Sequence, residues 1–252
     1  MRDDARMRLH YEVVGDGRPL VLVHGWGADS RRNWVDLGWV DVLAPIRRIV
    51  LMDSRGHGRS EPAPAQADYG YAAMSEDVLQ VMDELEIAEA DLFGYSMGAF
   101  IGVSLLGHHR VRFSSMVLGG IGDETEESAA VGHLIAAWLR VEDPGEIVDP
   151  VGRAYRRYVD ADPVNDREAL AMAALQMWPD GHPLALGGDG LADVDIPVLI
   201  VDGADDHPYV DTVGHLVAGI PGAELVTIPG TDHHTVVGDP RFKAAVLQFL
   251  SR

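Results

Sequence analysis

The pentapeptide Gly94-Tyr95-Ser96-Met97-Gly98 contains the strongest candidate for a nucleophile in this sequence. It follows a short apolar run and opens a helical stretch, Ala99 to Leu106. A serine on a tight turn between a strand and a helix is held in a strained conformation, with its hydroxyl projecting free of the sheet. The chain passes so close there that the flanking positions must lack side chains, which the two glycines provide. Free N–H groups at the start of the helix would stabilise the oxyanion formed when Ser96 attacks a carbonyl.

A serine hydroxyl is a poor nucleophile until a base takes its proton, and a histidine oriented by a carboxylate is a suitable base. Carboxylates follow one downstream apolar run, and two adjacent histidines follow the next. Because the carboxyl ends of parallel strands meet at one edge of a sheet, we expect these residues close to Ser96. The order nucleophile, acid, base is the one expected for such a sheet. In chain order the candidates are the acids Asp202, Asp205 and Asp206 and the bases His233 and His234.

Short, continuous apolar runs predict the strands that would position these residues, since such runs are typical of parallel strands covered on both faces. The sequence has them at Pro19–Val23, Arg48–Asp53, Asp91–Tyr95, Ser115–Gly119, Pro197–Asp202 and Glu224–Ile228. Arg8 to Val14 instead alternates polar and apolar residues, which predicts an edge strand of an antiparallel pair. Helical patterns such as Glu76–Ala88 and Pro240–Leu250 separate several of the runs. This alternation predicts an α/β fold with a doubly wound, mostly parallel sheet.

One segment, residues 122–192, lacks any strand-like run. Helical patterns occur in it near Val131–Leu139, Pro150–Val159 and Arg167–Trp178, and prolines separate them. We therefore predict a core domain formed by residues 1–121 and 193–252, with residues 122–192 inserted as a helical cap over the sheet. Most of the large aromatic and methionine side chains of this cap are expected to pack its own small core.

The composition excludes several kinds of protein. The 252 residues include no cysteine, which excludes disulfides, zinc–thiolate sites and a cysteine nucleophile. With 40 acidic and 20 basic residues the net charge is −20, so nucleic acid and anionic membranes would be repelled. The histidines show no metal-ligand spacing, and we predict neither a metal nor a cofactor. The N-terminal residues lack the apolar core of a secretory signal, which favours a cytoplasmic protein. The sequence alone indicates no oligomeric state.

Four motifs, taken in order, resemble landmarks of the α/β-hydrolase family. The segment His24–Gly27 is similar to the family's oxyanion loop, and Asp53–Ser60 is similar to its D-x-R-G-x-G-x-S segment. The serine pentapeptide and the loops of the acid and the histidine complete the set. On these residues the chain is identified as a member of the serine-nucleophile branch of that family, over essentially its whole length. His24 and His57 lie in loops where the family's histidines brace the turn, so we expect a structural role for both.

The resemblance implies roles for individual residues. Ser96 matches the nucleophile, and His233 matches the base. Asp206 matches the acid, which in the family's G-x-x-D pattern lies three residues after a glycine. The backbone N–H groups of Trp26 and Met97 would form the oxyanion hole.

The base loop departs from the family's I-P-G-x-G-H pattern, because Asp232 stands in place of a glycine and a second histidine follows. His234 is therefore an alternative base. Some relatives carry the acid after the strand that here ends near Gly119, where Asp123 or Glu124 could serve.

The resemblance implies a hydrolase that cleaves small carboxylic esters through an acyl-enzyme, and its expected partner is a small-molecule ester. The cap should enclose a small pocket that favours short acyl groups. The expected lining residues are Trp26, Trp138, Met172, Met177 and Trp178. Three alternatives stay open: hydrolysis of a lactone or of a carbon–carbon bond by the same triad, the activity of a cofactor-independent peroxidase, and a receptor on this fold that binds a small molecule without turnover.

Overall fold

The computed structural model describes residues 6–122, 126–177 and 188–252. Within these ranges seven strands form one sheet, in the order β1-β3-β2-β4-β5-β6-β7. The strands are β1 (Tyr11–Val14), β2 (Pro19–Val23), β3 (Arg48–Met52), β4 (Ala90–Tyr95), β5 (Phe113–Gly119), β6 (Val198–Gly203) and β7 (Glu224–Ile228). β1 lies at the edge and pairs antiparallel with β3, and the remaining neighbours pair in parallel. The predicted α/β fold with a mostly parallel sheet is confirmed.

The central strands β2 to β6 are mostly buried on both faces, which explains why they are apolar at consecutive positions. β7 differs from the expectation that it is covered on both faces, because it lies at an edge of the sheet and three of its five residues are exposed. In the described ranges the α-helices are α1 (Trp39–Leu43), α2 (Tyr71–Glu84), α3 (Met97–His109), α4 (Glu126–Arg140), α5 (Pro150–Asp160), α6 (Arg167–Met177), α7 (Tyr209–Gly219) and α8 (Pro240–Leu250). Successive side chains of a strand point to opposite faces. Along β2, Val21 and Val23 accordingly pack into one core together with α2 and α3, while Leu20 and Leu22 pack into another with α1 and α8.

Helix α2 begins and ends earlier than its sequence pattern predicts. The prediction was Glu76–Ala88, whereas the helix spans Tyr71–Glu84. Its first turn contributes Tyr71 and Met74 to the core, so packing extends the helix towards its N-terminus. It stops before Glu86 because that residue adopts a positive φ of 55°, which an α-helix does not accommodate.

The described part of the segment between β5 and β6 contains three α-helices, and α4 packs against both α5 and α6. α5 starts after Asp149, whose carboxylate accepts hydrogen bonds from the N–H groups of Val151 and Gly152, and Pro150 occupies its first position. The division into a core domain and a cap remains a prediction. Asp123, Glu124 and Trp178 lie outside the described residues.

None of the helices in the described ranges is long and apolar enough to cross a bilayer.

Candidate active site

Ser96 lies alone between the end of β4 and the start of α3, in a strained conformation. Its φ is 51° and its ψ is −115°, a region that residues with a side chain seldom adopt. Its N–H donates to the backbone oxygen of Gly119 at 2.8 Å. A Cβ at Gly94 would lie 2.1 Å from the Gly98 oxygen, and one at Gly98 would lie 2.0 Å from the Val23 oxygen. The two glycines of the pentapeptide are therefore required by close backbone approach.

A chain of two hydrogen bonds joins Ser96 to a histidine and a carboxylate. His233 Nε2 lies 3.0 Å from Ser96 Oγ, and His233 Nδ1 lies 2.9 Å from Asp206 Oδ2. Since an ionised carboxylate only accepts hydrogen bonds, Nδ1 carries the proton and Nε2 is free to accept from the serine hydroxyl. The Asp206 side chain is 1% exposed and that of His233 is 25% exposed, so the base lies at the boundary between solvent and the interior.

Asp206 is positioned by hydrogen bonds between the loops that follow β6 and β7. The N–H of Ala204 donates to Ile228 O, and that of Asp205 donates to Thr231 O, both at 2.9 Å. The N–H of Asp206 then closes a turn onto Gly203 O at 3.2 Å. This turn buries Asp206 and leaves Asp205 exposed, which separates two of the acids that sequence alone left open.

Asp232 replaces the expected glycine in the histidine loop, and its carboxylate organises that loop. Its Oδ1 accepts from the N–H groups of His234 and Thr235 at 3.1 and 2.9 Å, and from the Thr235 hydroxyl at 2.7 Å. The Tyr95 hydroxyl donates to the backbone oxygen of His233. The rings of His233 and His234 are nearly perpendicular, at 84°. The structure thus brings His233 to Ser96, while His234 is exposed and lies beside Tyr158.

The expected oxyanion loop lies directly against the serine. A Cβ on Gly25 would lie 3.4 Å from the Cβ of Ser96. The Gly25 N–H donates to Asn33 Oδ1 at 3.0 Å, a contact that the sequence motifs did not indicate. Among the described residues, the backbone N–H groups of Trp26 and Met97 have no hydrogen-bond acceptor. Two donors beside the serine are therefore available to an oxygen of a bound substrate.

His24 fixes the direction of one of these donors. The Ser54 N–H donates to His24 Nε2 at 3.0 Å, so the ring proton sits on Nδ1 and is donated to Gly25 O at 2.8 Å. A trans peptide is planar, with its C=O and N–H antiparallel, so holding Gly25 O also orients the Trp26 N–H. Burial lowers the pKa of His24 and lowers that of His57 to about 3. His24 is neutral because its Nε2 accepts a hydrogen bond, and each ring braces its own loop through a backbone oxygen.

Asp202 is a buried carboxyl group close to this site but outside the hydrogen-bonded chain. Its side chain is fully buried, and Oδ1 accepts from the N–H of Ile121 at 2.9 Å. Oδ2 has no hydrogen-bond partner among the described residues. Burial, with a further contribution from the charge of Asp206, raises the pKa of Asp202 from 3.8 to about 7.

We expect Asp202→Asn to stabilise the protein at pH 8. The pKa of Asp202 is about 7 in the folded protein, compared with 3.8 for an exposed carboxyl. Between these two pH values the folded state therefore keeps a proton on Asp202 that the unfolded state releases. The contribution of Asp202 to stability is thus fully present below about pH 4 and is lost as the pH rises to about 7. Asparagine keeps the acceptor for Ile121 without a charge, so the free energy of unfolding should rise on the order of 1 kcal/mol at pH 8. Urea unfolding from pH 4 to 8 measures this, with Asp205→Asn as the exposed control. Parallel pH profiles for Asp202→Asn and wild type would contradict the assignment.

Of the described residues expected to line a substrate pocket, Trp26 lies outside the segment predicted as a cap, and Trp138, Met172 and Met177 lie within it. Trp26 contacts the segment predicted as a cap, since its indole Nε1 donates to Leu170 O at 3.1 Å. Trp138 packs within that segment, against Gly152 and the ring of Tyr155. The two methionines lie on α6, with Met172 half-buried and Met177 buried. Their role as lining residues remains a prediction.

Two further features bear on what the molecule can bind. Among the described residues no group of three or more His, Asp or Glu side chains is placed to hold a metal ion. A cavity of about 440 Å³ opens at the opposite edge of the sheet, where the strands begin, and Arg18, Arg47 and Asp91 help to line it. Both arginines are paired with the buried Asp91. We therefore assign this cavity no part in the chemistry at Ser96.

Comparison with known proteins gives the family. A family model described as alpha/beta hydrolase fold matches residues 18–143, half of the chain. The dihydrolipoyllysine-residue acetyltransferase component of the acetoin cleaving system from Pseudomonas putida is 37% identical over 52% of this chain, which spans only 35% of that protein. The non-heme chloroperoxidase CPO-A1 from Kitasatospora aureofaciens is 26% identical over 98% of this chain and 97% of its own length.

A solved structure is similar over the whole length. The crystal structure of a hydrolase from Pseudomonas aeruginosa PA01 superposes with a TM-score of 0.78 and 28% identity, covering 100% of this chain and 97% of that one. The matched residues include His24–Gly27 and the serine pentapeptide, and the sheet order and the serine turn agree with the family match. The chain belongs to the α/β-hydrolase fold family.

Proposed function

We propose that this protein is a serine hydrolase that cleaves carboxylic esters through an acyl-enzyme. The observation that carries the proposal is the hydrogen-bonded chain from Ser96 Oγ through His233 to Asp206, at 3.0 and 2.9 Å. A nucleophile, a base and an orienting acid in this geometry are what acyl transfer requires. The strained turn and the two unpaired N–H groups beside it support the same reaction.

Each group has one task in the proposed reaction. Ser96 Oγ attacks the ester carbonyl while His233 Nε2 takes its proton. The N–H groups of Trp26 and Met97 stabilise the negative oxygen of the tetrahedral intermediate. His233 then returns the proton to the leaving alcohol, and a water molecule activated by the same nitrogen releases the acid. Asp206 holds the Nδ1 proton throughout and stabilises the imidazolium as it forms.

The proposed substrate is a small ester with a short acyl chain. We propose that residues 122–192 act as a cap, with Trp26, Trp138, Met172, Met177 and Trp178 on the walls of the pocket. The contact between Trp26 and α6 supports this, because it places a helix of the proposed cap beside the proposed oxyanion loop. Such a cap limits the length of the acyl group.

A series of p-nitrophenyl esters from acetate to palmitate tests both the activity and the size limit. Each added methylene gains only about 0.8 kcal/mol of transfer energy, which a closed pocket soon offsets by steric exclusion. We expect kcat/KM to fall beyond roughly eight acyl carbons. The Ser96→Ala variant supplies the background rate. A maximum at the long-chain end would contradict the closed pocket and favour an open groove.

Further substrates, assayed beside the linear esters, separate the other activities. A lactone is a cyclic ester, so a panel of lactones belongs beside the linear series. Specific binding of small molecules without turnover of any ester, lactone or carbon–carbon substrate would favour a receptor.

A peroxidase activity is a second candidate, favoured by the likeness to a non-heme chloroperoxidase over nearly the whole chain. In this reaction acetic acid acylates Ser96 with loss of water, and hydrogen peroxide then takes the acetyl group to give peracetic acid. The peracid oxidises halide to hypohalous acid, which halogenates the phenol, and acetic acid is regenerated. Halogenation of a phenol in acetate, peroxide and halide measures it, and it should be lost in Ser96→Ala.

A further inference from the structure

Trp26 carries two N–H groups with different surroundings. Its backbone N–H is one of the two proposed oxyanion donors. Its indole Nε1–H donates to the backbone oxygen of Leu170, 3.1 Å away on α6. Trp26 is only 8% exposed, so this bond is largely shielded from water. One residue thus joins the proposed oxyanion loop to a helix of the proposed cap.

The peptide that precedes Trp26 is held by the core. The Gly25 N–H donates to Asn33, and Gly25 O accepts from His24 Nδ1 and from the N–H of Ala28. None of these bonds restrains the Trp26 side chain. That side chain is held by the other segment, through Leu170 O and through the ring of Tyr155, whose centroid lies 5.9 Å away in an edge-on arrangement.

A second contact joins the same loop to α5. Gly27 lies against the ring of Tyr158, where an added Cβ would be 3.0 Å from Cε1. The Arg32 guanidinium lies 4.4 Å above that ring, and its Nη1 donates to Gly27 O at 3.2 Å. The loop is therefore tied to α5 and α6 at two consecutive residues.

We propose that the Trp26 side chain is a positioning residue for the oxyanion hole. His24 orients the Gly25–Trp26 peptide from the side of the core, and α6, through the indole, fixes the Trp26 end of the same peptide as a second restraint on the N–H. The inference rests on the proposed function and deepens it, since it gives the cap a part in the chemical step. A donor stabilises a transition state only when it is already aimed at the position where charge develops. Releasing the indole should therefore slow the chemistry more than it weakens substrate binding.

Trp26→Phe tests the proposal, because it removes the indole N–H and keeps an aromatic ring and the backbone N–H. We expect kcat for p-nitrophenyl acetate to fall about tenfold with KM nearly unchanged. The rate at which a fluorophosphonate modifies Ser96 should fall by a similar factor, because the oxygen on phosphorus occupies the same hole.

Trp39→Phe is the matched control. Trp39 is fully buried in the other core, and its Nε1 donates to Val237 O at 2.7 Å. This variant loses the same kind of bond and should lose comparable thermal stability, with both rates close to wild type. Equal rate losses in the two variants, or a change in KM alone for Trp26→Phe, would overturn the proposal.

Two further measurements keep the result decisive. If Trp26→Phe does not fold, Tyr155→Leu removes the ring that packs edge-on against the Trp26 indole, and a loss of kcat in the same direction is expected. If the wild type is modified at Ser96 but cleaves no ester, the proposed function fails, while the two modification rates still decide the role of Trp26. A wild type that is not modified at all overturns both.

Discussion

Replacing Ser96 with alanine is expected to lower kcat for ester hydrolysis on the order of 10⁴-fold or more, as removal of the nucleophile does in other serine triads. The protein should remain folded. Alanine keeps the Cβ and the N–H that donates to Gly119 O, and it loses only a hydroxyl whose partner is the partly exposed His233. Steady-state kinetics and thermal unfolding measure the two effects.

Ser75→Ala is the control for this result. Ser75 lies on α2, is buried, and donates its hydroxyl to Tyr71 O at 2.8 Å. The loss of this bond should cost on the order of 1 kcal/mol of stability and no activity. An alanine variant of Ser96 that keeps the wild-type rate would show that another group attacks the substrate.

Replacing His233 with alanine is expected to cost on the order of 10³-fold or more in kcat, whereas replacing His234 should cost little. The reason is geometric, since only His233 has its ring between Ser96 and Asp206. His234 is exposed and next to Tyr158. Kinetics of the two single variants measure the difference.

The pair forms its own control, because both variants remove an imidazole from the same loop. Asp232 keeps its acceptor role towards Thr235 in each variant. A larger loss for His234→Ala than for His233→Ala would move the base to the second histidine.

Most of the sheet was predictable because each parallel strand is a short apolar run that ends at a turn. The strand from Pro19 to Val23 and the one from Glu224 to Ile228 have the predicted bounds. Helix α1 was not predicted, since its five residues are too few to show a helical period. Helix α7 was missed although Val213 and Leu216, which it buries, stand at helical spacing.

The candidate triad was predictable because each of its residues follows a strand. The contacts that orient these residues were not. Asn33 holds Gly25, the Tyr95 hydroxyl holds the backbone of His233, and the Trp26 indole reaches Leu170. The last two pairs are more than a hundred residues apart in the chain, so only the packing of the elements brings them together. The carboxylate of Asp232 had a local signal, because an aspartate side chain in a turn often accepts from the backbone N–H two residues on, here that of His234.

The central claim is that Ser96 is the activated nucleophile, and covalent modification tests it most directly. The protein is treated with a fluorophosphonate, its intact mass is measured, and the adduct is located by peptide mapping. We predict a single adduct on Ser96, absent from Ser96→Ala and formed much more slowly in His233→Ala. No adduct, or an adduct on a different serine, would contradict the account.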